Sequence, residues 1–162
     1  MEPILFVIFG AIAVGGSILV VTRRHPMSSA LCLILTLFAV AALFVLRQAH
    51  FLAAIQVIVY AGAVVVLFIF VIMLINVPEN RLPVERVTAL RVLGVAAAGL
   101  LILESAVLAR KYTIPGGTAA DSGSVQAVGK ALFTDYLLAF EITSVLLLAA
   151  VIGAIALAKK KI

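Results

Sequence analysis

Long apolar runs separated by short polar segments divide the chain into regular parts. Each run supplies the roughly 20 apolar residues that an α-helix needs to cross the hydrocarbon core of a bilayer. The pattern predicts an all-α integral membrane protein, a single membrane domain over residues 1–162 with five transmembrane helices. The predicted spans lie at about 3–21, 27–46, 52–75, 90–109 and 137–158.

The third run differs from the others in its length and in its centre. It covers Phe51 to Val77, 27 residues without a charged side chain. As a helix it would reach roughly 40 Å, more than the roughly 30 Å hydrocarbon core. Near its middle, Tyr60-Ala61-Gly62-Ala63 is followed directly by Val64-Val65-Val66. Because glycine has the lowest helix propensity after proline and adjoins a stiff β-branched block, this centre indicates a helix with an adjustable backbone.

Two connections, one at each end of the second span, limit how the helices can be arranged. Pro26 suits the first position of the second helix, because its fixed φ favours a helix start. Arg47-Gln48-Ala49-His50 then joins the second helix to the third. Such a short link forces these two helices to be antiparallel neighbours.

The two longer connections are polar. The segment that begins at Asn76 contains two prolines and predicts a solvated loop. The connection over 110–136 contains the turn signal Pro115-Gly116-Gly117. After it, apolar residues at helical spacing predict a short helix on the membrane surface, capped by a polar side chain. The apolar positions are Val125, Val128 and Leu132, and the candidate caps are Asp121 and Ser124.

Composition and charge strengthen the membrane assignment and add a direction. Hydrophobic residues make up 65% of the chain and the mean hydropathy is +1.33, far above soluble domains, which are roughly half apolar. Eight lysines and arginines fall on the side of the first loop, the third loop and the C-terminus, against four on the other side. The positive-inside rule therefore predicts an outside N-terminus and a cytoplasmic C-terminus.

Few residue types that perform bond-breaking chemistry are present. The single cysteine, Cys32, rules out an intrachain disulfide, and the two histidines, His25 and His50, show no metal-ligand spacing. The chain has neither a glycine-rich phosphate loop nor a serine nucleophile elbow. We therefore expect no catalytic residue, no metal site and no bound cofactor here, and nothing favours nucleic-acid binding.

Two carboxylates lie inside predicted spans, where an ionisable group raises a functional question by default. Glu104 has only Ser105 as a polar neighbour, so it must face protein or water from another helix or another chain. Glu141 lies one turn into the fifth span and is followed by Thr143 and Ser144. For Glu104 a role in proton transfer or partner pairing competes with a structural role, in which the carboxyl group only joins helices by a hydrogen bond. For Glu141, near the outer interface, a buried helix-bridging or proton-exchanging role competes with a carboxylate that is simply reached by water.

One face of the third span carries Gln56, Tyr60 and Ala63, spaced at helical intervals. The simpler interpretation is helix packing, with hydrogen bonds from the amide and phenol and close approach at the small residues. The alternative is that Gly62 and the valines weaken the regular hydrogen-bond ladder. Such a place can accept an extra residue in a turn, a π-bulge, which is frequent at functional sites.

The third span also resembles a known family. The string QVIVYAGAVVVLFIFVIMLIN, from Gln56 to Asn76, closely resembles the third helix of the chain J family of bacterial NADH:quinone oxidoreductase (respiratory complex I), whose mitochondrial counterpart is chain 6 of NADH dehydrogenase. HPMSSALCLILTL, from His25, resembles that family's entry into its second helix. GKALFTDYLLAFEITSVLLLAAVIGAIALAKKK, from Gly129, resembles its last connection and fifth helix. The resemblance covers essentially the whole chain and is weakest from Asn76 to Ser124.

This resemblance implies a multi-pass subunit of the bacterial inner membrane that belongs to a proton-translocating NADH:quinone oxidoreductase. Such a subunit has no redox centre of its own, and FMN, iron–sulfur clusters and quinone are expected in other subunits. The implied partners are the quinone-site subunit, the small K-type and A-type subunits, the antiporter-like subunits and the lipid bilayer.

The resemblance also implies which residues carry the function. The family's third helix has a π-bulge at the position matched by Tyr60 to Val65, and its conversion to regular α-helix would open or close a hydrated proton path that links quinone reduction to pumping. Gln56 stands where relatives often have Gln or Glu, Glu141 matches an acid of the fifth helix, and relatives commonly have proline in place of Ala139. The expected proton-path or coupling residues are Gln56, Tyr60, Gly62, Ala63, Val64, Val65, Glu141 and, from its place in a span alone, Glu104.

Two other classes of membrane protein remain open on the residues. A subunit of a multisubunit cation/proton antiporter would share related membrane modules but would act without NADH or quinone. A small self-assembling transporter or a passive assembly scaffold is a further possibility. A stand-alone transporter would be expected to contain internal repeats or several midplane charges of both signs, and this chain has neither.

Overall fold

A computed structural model of the chain describes residues 2–75, 88–111 and 123–159, and within these ranges the backbone is helical apart from short links. The predicted loop that begins at Asn76, the turn at Pro115-Gly116-Gly117, Asp121 and the last two lysines lie outside the described residues. The helices are α1 (Glu2–Thr22), α2 (Pro26–Leu46), α3 (His50–Ile55), a π-helical segment (Gln56–Val64), α4 (Val65–Ile75), α5 (Thr88–Lys111), α6 (Val125–Phe133) and α7 (Leu137–Ala158).

Among the described residues, four helices are long and apolar enough to cross a membrane. They are α1, α2, the continuous helix His50–Ile75 that contains the π-helical segment, and α7. The fourth predicted span lies within α5, whose apolar part, Val92–Leu108, is shorter. The described part of the chain is therefore all-helical, with four candidate membrane spans and one shorter apolar helix.

The helices α1 and α2 pack along each other. At Gly16, the buried residue of α1, the two helices lie so close that a Cβ atom would overlap the Oγ1 atom of Thr36. Thr36 is itself buried and donates a hydrogen bond to the carbonyl oxygen of Cys32 at 2.9 Å. Beside the link between the two helices, Ser29 Oγ donates to the carbonyl oxygen of Val20 at 2.5 Å. Small and hydroxyl-bearing residues thus join this pair, as is typical of helices inside a bilayer.

The link between α2 and α3 is a compact reversal. The N–H of Gln48 donates to the carbonyl oxygen of Val45, and the N–H of Ala49 donates to that of Phe44, both at 2.9 Å. This pair of bonds is a Schellman motif, which satisfies the last carbonyl groups of a helix. Gln48 occupies its left-handed position with a φ of 59°, a position usually held by glycine. The backbone direction at this turn is therefore well defined.

After the link, the third span lies alongside α2. The helix α2 packs on α3, on the π-helical segment and on α4, which confirms that the second and third helices are neighbours. Most of the buried apolar residues of α2 and the third span are alanines, which allow close backbone approach. They are Ala30, Ala39 and Ala41 of α2 and Ala53, Ala61 and Val65 of the third span.

The later helices are more isolated. Within the described part of the chain, α5 makes no extensive contact with another helix, and α7 packs on α6. The side chains of α7 are exposed except at Gly153, which is half-buried. The predicted short helix is confirmed as α6, and Ser124 is its N-cap, because its side chain accepts a hydrogen bond from the N–H of Ala127. Helices that are both this apolar and this exposed require lipid or other protein chains around them.

Candidate functional site

The candidate site is the π-helical segment at the centre of the third span. It begins at Gln56, whose N–H still donates to the carbonyl oxygens of Leu52 and Ala53. It ends where the N–H of Val65 donates to the carbonyl oxygen of Tyr60, five residues earlier. The flanking residue Ile55 has a φ of −62° and a ψ of −41°, and Val65 has −71° and −34°. These are ordinary right-handed helical values, so the widened turns require no strained backbone at either end.

Gly62 has a specific steric role within this segment. A Cβ atom at this position would lie 3.2 Å from the carbonyl oxygen of Val57, closer than an ordinary van der Waals contact. The obstacle is a backbone atom of the same helix, so it cannot move aside as the end of a side chain can. A side chain at Gly62 would therefore require the helix backbone to shift by a few tenths of an ångström.

Burial divides the site residues into two groups. Ala61 and Val65 are only 6% and 4% exposed, and α2 is the neighbouring helix that packs on this segment. Tyr60 is 52% exposed, Gly62, Ala63 and Val64 are exposed, and Gln56 is half-buried. The predicted face of Gln56, Tyr60 and Ala63 is thus directed mainly away from α2. The sequence pattern could not distinguish these faces, because apolar residues surround the helix on all sides.

The two glutamates lie on helices that do not pack on the π-helical segment. Glu104 is exposed in α5 and Glu141 is exposed near the start of α7. Within the described residues, neither helix makes extensive contact with the third span. The structure therefore brings Gln56, Tyr60, Gly62, Ala63, Val64 and Val65 together and leaves both carboxylates separate from them.

The hydroxyl groups after Glu141 do not serve its carboxylate. Thr143 Oγ1 donates to the carbonyl oxygen of Phe140 at 2.8 Å, and Ser144 Oγ donates to the carbonyl oxygen of Glu141 at 2.7 Å. Both hydroxyl groups are thus used by the helix backbone. Among the described residues no hydrogen bond or ion pair engages the carboxylate of Glu141, so water or another chain can reach it.

Sequence reasoning missed the places where a glycine lies directly against another residue. Val57 contributes its carbonyl oxygen opposite Gly62, Gly16 meets Thr36, and Gly123 lies against Ala49. The sequence shows where the glycines are, but no pattern of nearby residues indicated which of them lies against another part of the chain. Within the described residues no group of three or more His, Cys, Asp or Glu side chains could hold a metal ion.

The long apolar helices, most of whose side chains are exposed, define this chain as a polytopic membrane protein. The family model of NADH-ubiquinone/plastoquinone oxidoreductase chain 6 matches residues 16–157, and the chain belongs to this family. That result decides against the antiporter and transporter alternatives.

Individual relatives agree with the family model. The chain is 38% identical over 163 residues to NAD(P)H-quinone oxidoreductase chain 6 of Leptolyngbya boryana, covering 99% of this chain and 81% of the relative. It is 40% identical over 149 residues to NADH-quinone oxidoreductase subunit 10 of Thermus thermophilus, covering 86% and 80%. It is 36% identical over 153 residues to NADH-quinone oxidoreductase subunit J of Escherichia coli, covering 92% and 82%.

The chain is accordingly a multi-pass inner-membrane protein and a subunit of the enzyme complex NADH-quinone oxidoreductase. Its partners include other subunits of that complex.

Proposed function

We propose that this subunit couples quinone reduction to proton translocation through a change in the helical form of its third span. The observation that carries the proposal is the π-helical segment Gln56–Val64 in the middle of a membrane-spanning helix. Such segments are uncommon and concentrate at functional sites. A span that served only as an anchor would gain nothing from this departure from regular α-helix.

The geometry favours a reversible change. A regular α-helix needs one residue fewer per hydrogen-bonded ring than a π-helix, and one residue corresponds to a rotation of about 100° about the helix axis. The residues flanking the segment already have right-handed helical dihedral angles. Conversion to a regular α-helix therefore requires N–H groups to change their acceptors; the N–H of Val65, for example, would move from the carbonyl oxygen of Tyr60 to that of Ala61. The backbone dihedral angles need not cross a forbidden region.

The exposed face of the segment is where a hydrated path would form. Tyr60 and Gln56 offer a phenol and an amide to water, and Glu141 and Glu104 would exchange protons at neighbouring positions in the complex. Because water inside a membrane protein depends on the polar groups that line its cavity, a rotation that moves Tyr60 would make or break such a path. The change of helical form is thus the switch, and the carboxylates are the proton carriers.

The surroundings of the chain follow from its exposed helices. We propose that α5 completes a set of five transmembrane helices, with the N-terminus outside and the C-terminus in the cytoplasm. The exposed α5 and α7 would pack against the quinone-site subunit, the small K-type and A-type subunits and the antiporter-like subunits. A carboxylate such as Glu104, on a helix without extensive described contacts, needs a polar partner of this kind inside the bilayer.

The chain would contribute no catalytic centre of its own. Iron–sulfur clusters are commonly held by four cysteine thiolates, whereas this chain has one cysteine. The residues present therefore do not fit a cluster, and we place FMN, the clusters and the quinone in other subunits. This subunit would act on the reaction only through its helices.

The test is Gly62→Val in the assembled complex, with Gly99→Val as its matched control. A side chain at Gly62 crowds the carbonyl oxygen of Val57, whereas a Cβ atom at Gly99, in α5, meets no heavy atom within 4 Å. We expect Gly62→Val to lower proton pumping per electron and quinone reduction, and Gly99→Val to leave both near wild-type values. Unchanged pumping and unchanged quinone reduction with Gly62→Val in a fully assembled complex would refute the proposal.

A further inference from the structure

A close backbone contact joins the segment before α6 to the link between α2 and α3. A Cβ atom at Gly123 would lie 2.7 Å from Ala49 Cα, 2.9 Å from the carbonyl oxygen of Gln48 and 3.2 Å from Ala49 Cβ. The two nearest atoms belong to backbone, so no side-chain rearrangement at the link could make room. Gly123 is therefore the residue that permits this docking.

The surface on which Gly123 docks is held in place. Ala49 lies in the Schellman motif that ends α2 and directly precedes His50, the first residue of α3. Its carbonyl oxygen also accepts from the N–H of Ala53 at 3.0 Å. A contact to Ala49 is consequently a contact to the beginning of the third span, the span that contains the π-helical segment.

The helix α6 is closed by hydrogen bonds at both ends. At its start, Ser124 Oγ accepts from the N–H of Ala127 at 3.2 Å. At its end, Thr134 Oγ1 donates to the carbonyl oxygen of Lys130 at 2.8 Å, and the N–H of Tyr136 donates to the carbonyl oxygen of Ala131 at 2.9 Å. Its nine residues span about 13 Å at the usual helical rise. A short helix with hydrogen bonds at both ends can keep the segments attached to its two ends about that far apart.

The far end of α6 is attached to α7. The rings of Phe133 and Phe140 meet edge to face, with centroids 5.1 Å apart and planes at 63°, a preferred arrangement for aromatic pairs. Phe140 directly precedes Glu141. The placement of the end of α6 therefore affects where the helical turn that carries the Glu141 carboxylate lies.

We propose that Gly123 is a positioning residue and that α6 is a strut, which sets the separation between the start of the third span and the start of α7. This inference rests on the proposed function, because it concerns where Glu141 lies relative to the π-helical segment. Gln56 lies about 9 Å along its helix from His50, and Glu141 about 6 Å along α7 from Leu137. The strut thus fixes the lateral distance between Gln56 and Glu141, which lie at similar depth. Within the described residues, their helices otherwise make no extensive contact.

The experiment breaks the strut at either end in the assembled complex. Gly123→Val forces the docked segment away from Ala49, and Phe133→Ala removes the ring contact to Phe140. Gly129→Val is the matched control for the first variant, because a Cβ atom at Gly129, within α6, meets no heavy atom within 4 Å. Val125→Ala, a truncation at an exposed position of α6, controls for the second.

Two measurements are made on each variant. Spin labels attached through unnatural amino acids at Leu52 and Leu138 report the separation of the two helices by pulsed electron paramagnetic resonance. Proton pumping per electron is measured in vesicles. We expect a longer or broader separation and a lower pumping ratio in both strut variants, with wild-type behaviour in both controls. The double variant should be no worse than the more severe single variant, because both changes disable one element.

The outcomes distinguish this inference from the proposed function. An unchanged separation in both Gly123→Val and Phe133→Ala would overturn the strut, and Phe133→Ala alone decides the point if Gly123→Val prevents assembly. A changed separation with a wild-type pumping ratio would overturn the positioning role of Gly123 in proton pumping, while a reduced ratio in Gly62→Val would leave the proposed function intact. Fully additive losses in the double variant would likewise refute a single shared element.

Discussion

The backbone N–H of Val65 donates a hydrogen bond to the carbonyl oxygen of Tyr60. In a regular α-helix the acceptor would be the carbonyl oxygen of Ala61. Ala61 and Val65 are also the buried residues of this stretch, so the altered hydrogen bond and the contact with α2 lie on the same part of the helix. A change of acceptor at Val65 would therefore alter the packing of the third span on α2.

Gly62→Ala should shift the third span towards regular α-helix. Its Cβ atom would crowd the carbonyl oxygen of Val57 in the π-helical form, and alanine is favoured over glycine in an α-helix by about 1 kcal/mol. We expect an isotope-edited infrared spectrum, with a labelled Tyr60 carbonyl group, to move towards the frequency of a regular helix. Gly99→Ala supplies the same chemical change in an open position of α5 and should leave the band in place. An unmoved band in Gly62→Ala would contradict the steric role of Gly62.

Glu141→Gln should reduce the number of protons pumped per electron. The substitution keeps the shape of the side chain but removes its capacity to carry a proton, and the nearby hydroxyl groups of Thr143 and Ser144 are already bonded to backbone. The measurements are proton-to-electron stoichiometry and inhibitor-sensitive turnover in vesicles. Glu2→Gln, at the exposed N-terminal end of α1, is the control. Wild-type values of both quantities in Glu141→Gln would assign this glutamate a purely structural role.

Substitution by alanine should lower the stability of the protein at Gly16 but not at Gly15. A Cβ atom at Gly16 overlaps Thr36 Oγ1, and such overpacking costs about 1–3 kcal/mol. At Gly15 no heavy atom lies within 4 Å, so Gly15→Ala should be neutral or stabilising by up to about 1 kcal/mol through helix propensity.

The measurement is the thermal stability of the purified complex together with the amount of chain assembled. Adding Thr36→Ala removes the overlapping oxygen and leaves the Cβ atom of residue 36 at 3.5 Å, so it should rescue Gly16→Ala. Equal responses at the two glycines would show that α1 and α2 do not meet at Gly16.

Ala139→Pro should be tolerated, whereas Ala149→Pro should not. The first regular hydrogen bond of α7 runs from the N–H of Phe140 to the carbonyl oxygen of Tyr136, at 3.0 Å, so proline at Ala139 removes no helical bond. Ala149 lies in the interior of α7, where proline costs about 3 kcal/mol. The amount of chain in the assembled complex and its NADH-driven turnover would check this difference. Equal losses for both substitutions would place the start of α7 elsewhere.

The features that the sequence predicted well are local ones. Apolar runs of sufficient length anticipated the helices, because a backbone inside a bilayer must satisfy its own hydrogen bonds. The capping residue Ser124 and the apolar spacing from Val125 to Leu132 anticipated α6, since both signals lie within a few residues. The short link around Gln48 anticipated that α2 and the third span are neighbours. The unusual centre at Gly62 drew attention to the stretch in which the π-helical segment occurs.

By itself, then, the sequence determined which segments are helices, which of them suit a membrane and which family the chain resembles. Only the tertiary structure decided that Ala61 and Val65 are buried and Tyr60 is not, that Gly16 meets Thr36, and that Gly123 meets Ala49. The physical reason is that lipid and protein interiors are both apolar, so a membrane helix need not be amphipathic and its pattern does not reveal its contact face. A contact between residues as distant in the chain as 49 and 123 depends on how whole helices are placed, and no local pattern encodes that placement.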